Sequence, residues 1–312
     1  MLKNSDDELI DKIVSLKKKR TAVILAHNYQ LGQVQDIADF VGDSLELSQK
    51  AAKTDADVIV FCGVHFMAET ASILCPDKVV LLPEIHARCP MAAMITAQQL
   101  REKKKEYPKA MVVCYVNSSA EVKAESDICC TSANAVEVTE SLESEEILFV
   151  PDQYLGDYVS TKTDKKIIPW PGFCSTHAKI QPWHITDLKK EYPQAKVIVH
   201  PECRPEVIAL ADEVLSTGGL CRYANRDDVK EVIVGTESGI IHRLRKENPG
   251  KKFIPVSKHA ICPSMKLTTL ESVLWSLQEM AYEIKVTEEI RLKAKTAVDK
   301  MLLIGRTKTP AK

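Results

Sequence analysis

The chain has 312 residues, 45% of them apolar and 27% charged, with a formal net charge of -1. This is the composition of a folded globular chain of two or three domains; it excludes disorder as the main state, and without a long basic block it argues against a nucleic-acid surface. No stretch approaches the roughly 18 apolar residues of a membrane span, and the N-terminal segment MLKNSDDELIDKIVSLKKKR lacks a signal-peptide core, so a cytoplasmic chain acting on small molecules is expected.

Ser5 to Lys19 reads as a helix, with Asp6, Asp7 and Glu8 in its first turn and Lys17 to Arg20 at its end, the order that complements the helix dipole. There follow a strand at TAVILA, helices near Val34 to Phe40 and from Ser44 to Lys53, a strand at DVIVF, a helix from His65 to Leu74 and a strand at KVVLL. A second series reads AMVVCYV, a helix around Ala120, a helix from Ser132, ILFV, a helix after Asp152, and KIIP. The third reads AKVIVH, a helix after Arg204, a short strand EVL, a helix from Thr217, EVIV, a helix after Thr236, and KFIP. Short β-branched runs alternating with helical segments predict an α/β fold of parallel sheets covered by helices on both faces.

The three series share registers. An apolar run closes on His27, Tyr115 and His200, and a hydroxyl follows 17 residues later each time, at Ser44, Ser132 and Thr217. The prolines that end the later strands, Pro83, Pro169 and Pro255, are spaced 86 residues apart, and a cysteine closes each series at Cys89, Cys174 and Cys262. This predicts three small α/β domains related by a pseudo-threefold axis, spanning 1–100, 101–187 and 188–262, with 263–312 returning to the first. The polar stretches 101–109 and 187–194, both containing KKEYP, read as linkers. The tail TEEIRLKAKTAVDKMLL reads as an amphipathic helix with Ile290, Ala294, Val298 and Leu302 on one face.

Ligands of open α/β sheets collect beyond the carboxyl ends of the strands, where the repeated residues lie. Ser44, Ser132 and Thr217 stand where helices start; each alone reads as an N-cap, and the three together suit an anionic ligand at helix N-termini. Of the ten cysteines, Cys62, Cys75, Cys114 and Cys221 read as small buried apolar residues, and no CxxC pair is present. Around an axis, Cys89, Cys174 and Cys262 would supply three thiolates and leave a fourth metal position open, the pattern of a reactive site. Sulfur favours zinc or an iron–sulfur cluster, and spacing does not choose between them.

The motifs AHNYQ (26–30), GDSLELS (42–48), FCGVHFMAETA (61–71), CPMA (89–92), YVNSSAEVKA (115–124), PDQYLG (151–156), WPGFCSTH (170–177), HPEC (200–203), STGG (216–219) and CPSMKLTTL (262–270) resemble those of the quinolinate synthase family, over nearly the whole chain. The resemblance implies a transferase of NAD biosynthesis holding a [4Fe–4S] cluster through Cys89, Cys174 and Cys262. It implies condensation of iminoaspartate, supplied by an aspartate-oxidising enzyme, with dihydroxyacetone phosphate to give quinolinate, phosphate and water. Glu202 would be the general base, with Tyr29, His27 and His200 assisting proton transfer. His27, His200 and Glu202 would also contact substrate, joined by Ser44, Tyr115, Asn117, Ser132 and Thr217 as binding residues; His177 would lie beside the cluster. Some family members carry a C-terminal CxxCxxC, whereas Cys262 here stands alone. The alternatives are a three-unit diphosphate reductase, which also brings one cysteine per unit, a metal or redox sensor lacking a poised carboxylate, and a zinc hydrolase or aldolase.

Overall fold

The computed structural model describes residues 5–304. The remainder of the predicted N-terminal and C-terminal stretches, 1–4 and 305–312, lies outside the described residues.

Three parallel sheets of four strands each follow one another along the chain. The first unit runs α1 (Ser5–Lys19), β1 (Ala22–His27), α2 (Gly32–Ile37), β2 (Phe40–Gly42), α3 (Ser44–Ala51), β3 (Val58–Cys62), α4 (His65–Leu74) and β4 (Val79–Leu81). The second runs α5 (Ala97–Glu106), β5 (Met111–Tyr115), α6 (Ala120–Ala124), β6 (Ile128–Cys130), α7 (Ala135–Glu140), β7 (Glu146–Val150), α8 (Gln153–Ser160) and β8 (Lys166–Pro169). The third runs α9 (Pro182–Glu191), β9 (Lys196–Val199), α10 (Pro205–Ile208), β10 (Glu213–Val214), α11 (Thr217–Ala224), β11 (Glu231–Gly235), α12 (Ile240–Glu247) and β12 (Lys252–Pro255). Helices α13 (Leu270–Glu279) and α14 (Glu288–Ile304) complete the described chain.

Every sheet has the order second, first, third, fourth, as β2-β1-β3-β4, β6-β5-β7-β8 and β10-β9-β11-β12. The strand order reverses between the first and third strands, and the crevice beyond their carboxyl ends is where such sheets bind ligands. Burial follows the period of two. In β1, Val23 and Leu25 enter a core shared with Val113, Phe149, Ile198 and Val232 of the other units, while Ile24 and Ala26 face a separate cluster with Ile13 of α1 and Val273 and Leu277 of α13. In β9, Ile198 joins the shared core while Val197 and Val199 pack with Ile180 and Ile185. Sheets buried on both faces need continuous apolar strands, as the sequence has.

Three expectations change. The edge strands β2 and β6 were not anticipated, since runs of three residues show no usable alternation. A repeated aspartate builds them: Asp39, Asp127 and Asp212 accept the backbone N–H of Ile24, Val112 and Val197 at 2.8, 2.7 and 2.8 Å, and their own N–H groups donate to the carbonyls of those same residues. The expected linkers are the ends of helices α5 and α9, which Tyr107 and Tyr192 terminate, so residues 101 and 187 fall inside helices. Finally, α13 packs on α1 and β3 of the first unit, whereas α14 lies mainly on α6 and β6 of the second while also touching α4. The expected face of α14 does the packing, with Ala294, Val298 and Leu302 buried and Ile290 partly so.

Candidate active site at the junction of three units

A cavity of about 660 Å3, counting its mouth, opens where the carboxyl ends of the three sheets meet. Its lining includes all thirteen residues named for the site from the sequence: His27, Tyr29, Ser44, Cys89, Tyr115, Asn117, Ser132, Cys174, His177, His200, Glu202, Thr217 and Cys262. The hydroxyl residues are not helix caps. Asp43 caps α3 and Ser216 caps α11, leaving Ser44 and Thr217 as first helical residues, while α7 begins three residues after Ser132. The Asp43 carboxylate also accepts from Ser216 Oγ and the Gly218 N–H, both at 3.3 Å, tying the first and third units together.

Equivalent loops orient the histidines. The N–H of Tyr29 donates to His27 Nδ1 at 3.2 Å, and the N–H of Glu202 donates to His200 Nδ1 at 3.3 Å. The network thereby assigns the ring proton to Nε2, and His200 Nε2 donates to Ser132 Oγ at 3.1 Å. Burial pushes both rings down to about 3 against the pull of Glu202, so they stand neutral. Burial and the Glu202 charge hold the Tyr29 and Tyr115 hydroxyls protonated, well above their ordinary values.

Glu202, 3% exposed, is the centre of the polar network. Its Oε1 accepts the Tyr115 hydroxyl at 2.5 Å and Asn117 Nδ2 at 3.5 Å, and its Oε2 lies 2.6 Å from His177 Nδ1. Burial alone would raise its pKa, but the contact with His177 and the Tyr115 bond outweigh that and hold it below the usual carboxylate range. His177 stacks on His200 with centroids 4.6 Å apart, and its Nδ1 lies 3.2 Å from Cys174 Sγ. On its far side, Nε2 meets Thr236 Oγ1 at 2.8 Å, and Thr236 meets the Tyr29 hydroxyl at 2.5 Å. A continuous chain of hydrogen bonds thus runs from Tyr29 in the first unit through Thr236, His177 and Glu202 to Tyr115 in the second.

The three cysteines share a local design. Each precedes a short 3-10 turn, Met91–Met94, His177–Lys179 or Pro263–Lys266. Backbone N–H groups two or three residues on point at each sulfur: Met91 and Ala92 at Cys89, His177 at Cys174, Ser264 and Met265 at Cys262. Burial still pushes Cys89 up to about 12 and raises the other two, with Cys262 and Glu202 adding to Cys89 and with Glu202 and Cys89 adding to Cys174. These three are partly exposed, whereas the other seven cysteines are buried.

The family model described as quinolinate synthetase A protein matches residues 11–303. The chain belongs to that family. It is 67% identical over 298 residues to the quinolinate synthase of Dehalococcoides mccartyi strain CBDB1, covering 95% of this chain and 99% of that one. It is 58% identical to the quinolinate synthase of Methanosarcina barkeri, covering 95% and 98%, and 55% identical to that of a Geobacter species, covering 97% and 99%.

Sequence reasoning missed Thr236, Glu237, Asp43 and Lys266. Glu237 accepts the Cys262 N–H at 3.1 Å and pairs with Lys266 at 2.9 Å, and Lys266 also donates to the Tyr29 carbonyl. The signal was available: Thr236 and Glu237 are polar residues directly after the apolar strand β11, where His27 and Tyr115 end theirs.

Proposed function

We propose that the chain condenses iminoaspartate with dihydroxyacetone phosphate to quinolinate, phosphate and water, as a transferase holding a [4Fe–4S] cluster through Cys89, Cys174 and Cys262. The observation that carries this reading is one cavity lined by one partly exposed cysteine from the end of each unit, with a buried carboxylate beside them.

The donor set fits such a group. Zn–S bonds of about 2.3 Å put the sulfurs of a single tetrahedral ion about 4 Å apart. Among the described residues, the set of three donors lying within 4.8 Å of one another is Cys174, His177 and Glu202, without Cys89 or Cys262. Three thiols ringed more widely than one ion would hold them suit a cluster, and sulfur-directed N–H groups suit its thiolates. When bound, the cluster supplies an open iron that acts as a Lewis acid toward substrate oxygen.

The chain's own residues bind, orient and move protons. Glu202 takes protons during the dehydrations, and the chain through His177 and Thr236 to Tyr29 passes them across the cavity. His27 and His200, neutral, donate through Nε2, and Ser44, Tyr115, Asn117, Ser132 and Thr217 hold the anionic groups. No helix of the described residues is long and apolar enough to cross a membrane; we place the activity in the cytoplasm, supplied by an aspartate-oxidising enzyme. The test is quinolinate formation by protein purified without oxygen, with Cys262→Ser alongside. Product from the native protein alone supports the reading; no product from brown, iron-loaded protein refutes it.

A further inference from the structure

The motif AHNYQ places His27 and Tyr29 at the cavity, but Asn28 between them is wholly buried and reaches into the third unit instead. Its Nδ2 donates to Thr217 Oγ1 at 3.1 Å. The direction of that bond is forced. Arg243 Nη1 lies 2.9 Å from the other end of the Asn28 amide, and a guanidinium has donors only, so the atom facing it is the carbonyl oxygen. Arg243 is itself fixed, donating to the Val41 carbonyl at 2.8 Å and to Glu247 at 2.7 Å. The backbone of Asn28 is held by the Gly42 carbonyl and by Gln35 Nε2. The amide therefore does not flip, and its NH2 faces Thr217.

A hydroxyl that accepts a hydrogen bond keeps its own proton to give away. Ser216, not Thr217, supplies the oxygen that caps α11, accepting the Gly219 N–H at 3.1 Å, and among the described residues the Thr217 hydroxyl has the Asn28 amide as its one side-chain partner, a donor, so its own proton is not taken up there. The Thr217 side chain lines the cavity, which is the direction left open. From this geometry we infer that Asn28, anchored by Arg243, is a positioning residue that sets the Thr217 hydroxyl as a hydrogen-bond donor toward an anionic oxygen of the ligand. The inference rests on the proposed reading of Thr217 as a ligand contact.

Two further observations bear on it. Ser132 is set the same way by a different device: the Glu202 N–H occupies His200 Nδ1, so His200 donates through Nε2 to Ser132 Oγ and leaves that hydroxyl proton free. At the positions equivalent to Asn28, the second and third units carry Val116 and Pro201, which have no side-chain donor. The Asn28 relay is thus particular to the contact between first and third units. A cavity whose hydroxyls are turned into donors selects for carboxylate or phosphate oxygens over groups that themselves donate.

The test is a double-mutant cycle on the iron-loaded protein kept without oxygen, read by calorimetric titration with quinolinate and, separately, with inorganic phosphate. Asn28→Asp keeps the shape and the Arg243 pairing, but its carboxylate only accepts, so Thr217 must donate to it and show the ligand a lone pair. Binding of the ligand that Thr217 contacts is expected to weaken about tenfold or more, the range for a hydrogen bond to a charged group, and Thr217→Val is expected to weaken it similarly. Adding Asn28→Asp to Thr217→Val is then expected to cost about twofold or less further. The titrant that responds, quinolinate or phosphate, identifies the anion held there. If Asn28→Asp costs its full effect in the Thr217→Val background, or nothing in the native one, the relay is overturned while the reading of Thr217 stands. If Thr217→Val is silent toward both titrants, that reading falls and the relay with it. Should Asn28→Asp not fold, Arg243→Met tests the same relay: the freed amide flips, and the resulting loss must vanish in the Thr217→Val background or the inference is wrong.

Discussion

Glu202→Gln changes the centre of the polar network at constant volume. In the native protein the carboxylate accepts Tyr115 O–H at 2.5 Å and lies 2.6 Å from His177 Nδ1. A carboxamide offers one oxygen and one nitrogen, so one of those two donors must face an N–H group. Losing one hydrogen bond to a charged group costs about 1.5–3 kcal/mol, and relief from burying a charge at 3% exposure returns part of it. The net change in stability is therefore expected within about 2 kcal/mol. Loss of a general base costs about 100-fold to 10,000-fold in rate, or about 2.7–5.5 kcal/mol of barrier. The kinetic effect thus exceeds the structural one. The assay is the initial rate of quinolinate formation without oxygen at saturating substrates, with iron content and thermal midpoint measured in parallel. A folded, iron-loaded variant working within about threefold of the native rate would refute the assignment of Glu202 as base.

Cys262→Ser is expected to lose the bound iron and the visible absorption of the cluster, while Cys221→Ser, at a buried position away from the cavity lining, keeps both; metal analysis and spectra decide, and equal iron in the two variants would overturn the ligand set. Gly218→Ala would bring a Cβ to 2.6 Å from Asp43 Oδ2, so about 1–3 kcal/mol of destabilisation is expected from overpacking at the contact between first and third units. An unchanged denaturation midpoint would show that the contact yields freely. Asp212→Asn bears on pH: burial alone would raise this carboxyl, but the Val197 N–H and Lys196 together hold it below the ordinary aspartate value of 3.8. Its stabilisation is therefore complete above that value and is lost as pH falls through the lower folded-state pKa. The native protein should exceed the variant by about 1 kcal/mol at pH 7, and the gap should close below about pH 3.8. A gap constant from pH 7 to pH 3 would mean that the charge contributes nothing.

The repeat, and through it the candidate site, could be read from residue spacing alone. Duplicated units obey the same local rules, so first strands end on His27, Tyr115 and His200, hydroxyls recur 17 residues later, and each unit closes on a cysteine. Parallel strands buried on both faces must be nearly continuous in apolar residues, and those runs are visible without a partner. Weak local signals failed where tertiary contacts do the work. FVG and ICC become strands because Asp39 and Asp127 clamp them to their neighbours, and the KKE residues of the polar KKEYP segments are helical because helices α5 and α9 bury Leu100 and Ile185 on one side.

Which side chains from different units meet is set by how the units pack together. Nothing in the spacing joins Thr236 to both Tyr29 and His177, although it sits 207 residues from one and 59 from the other. Nor does it show that Asn28 turns to Thr217, 189 residues away, while its neighbours in the motif face the cavity. The physical reason is that a strand ending dictates where a residue stands and which face it takes. The hydrogen-bond partner found there, and hence the direction in which each proton points, depends on the approach of another unit.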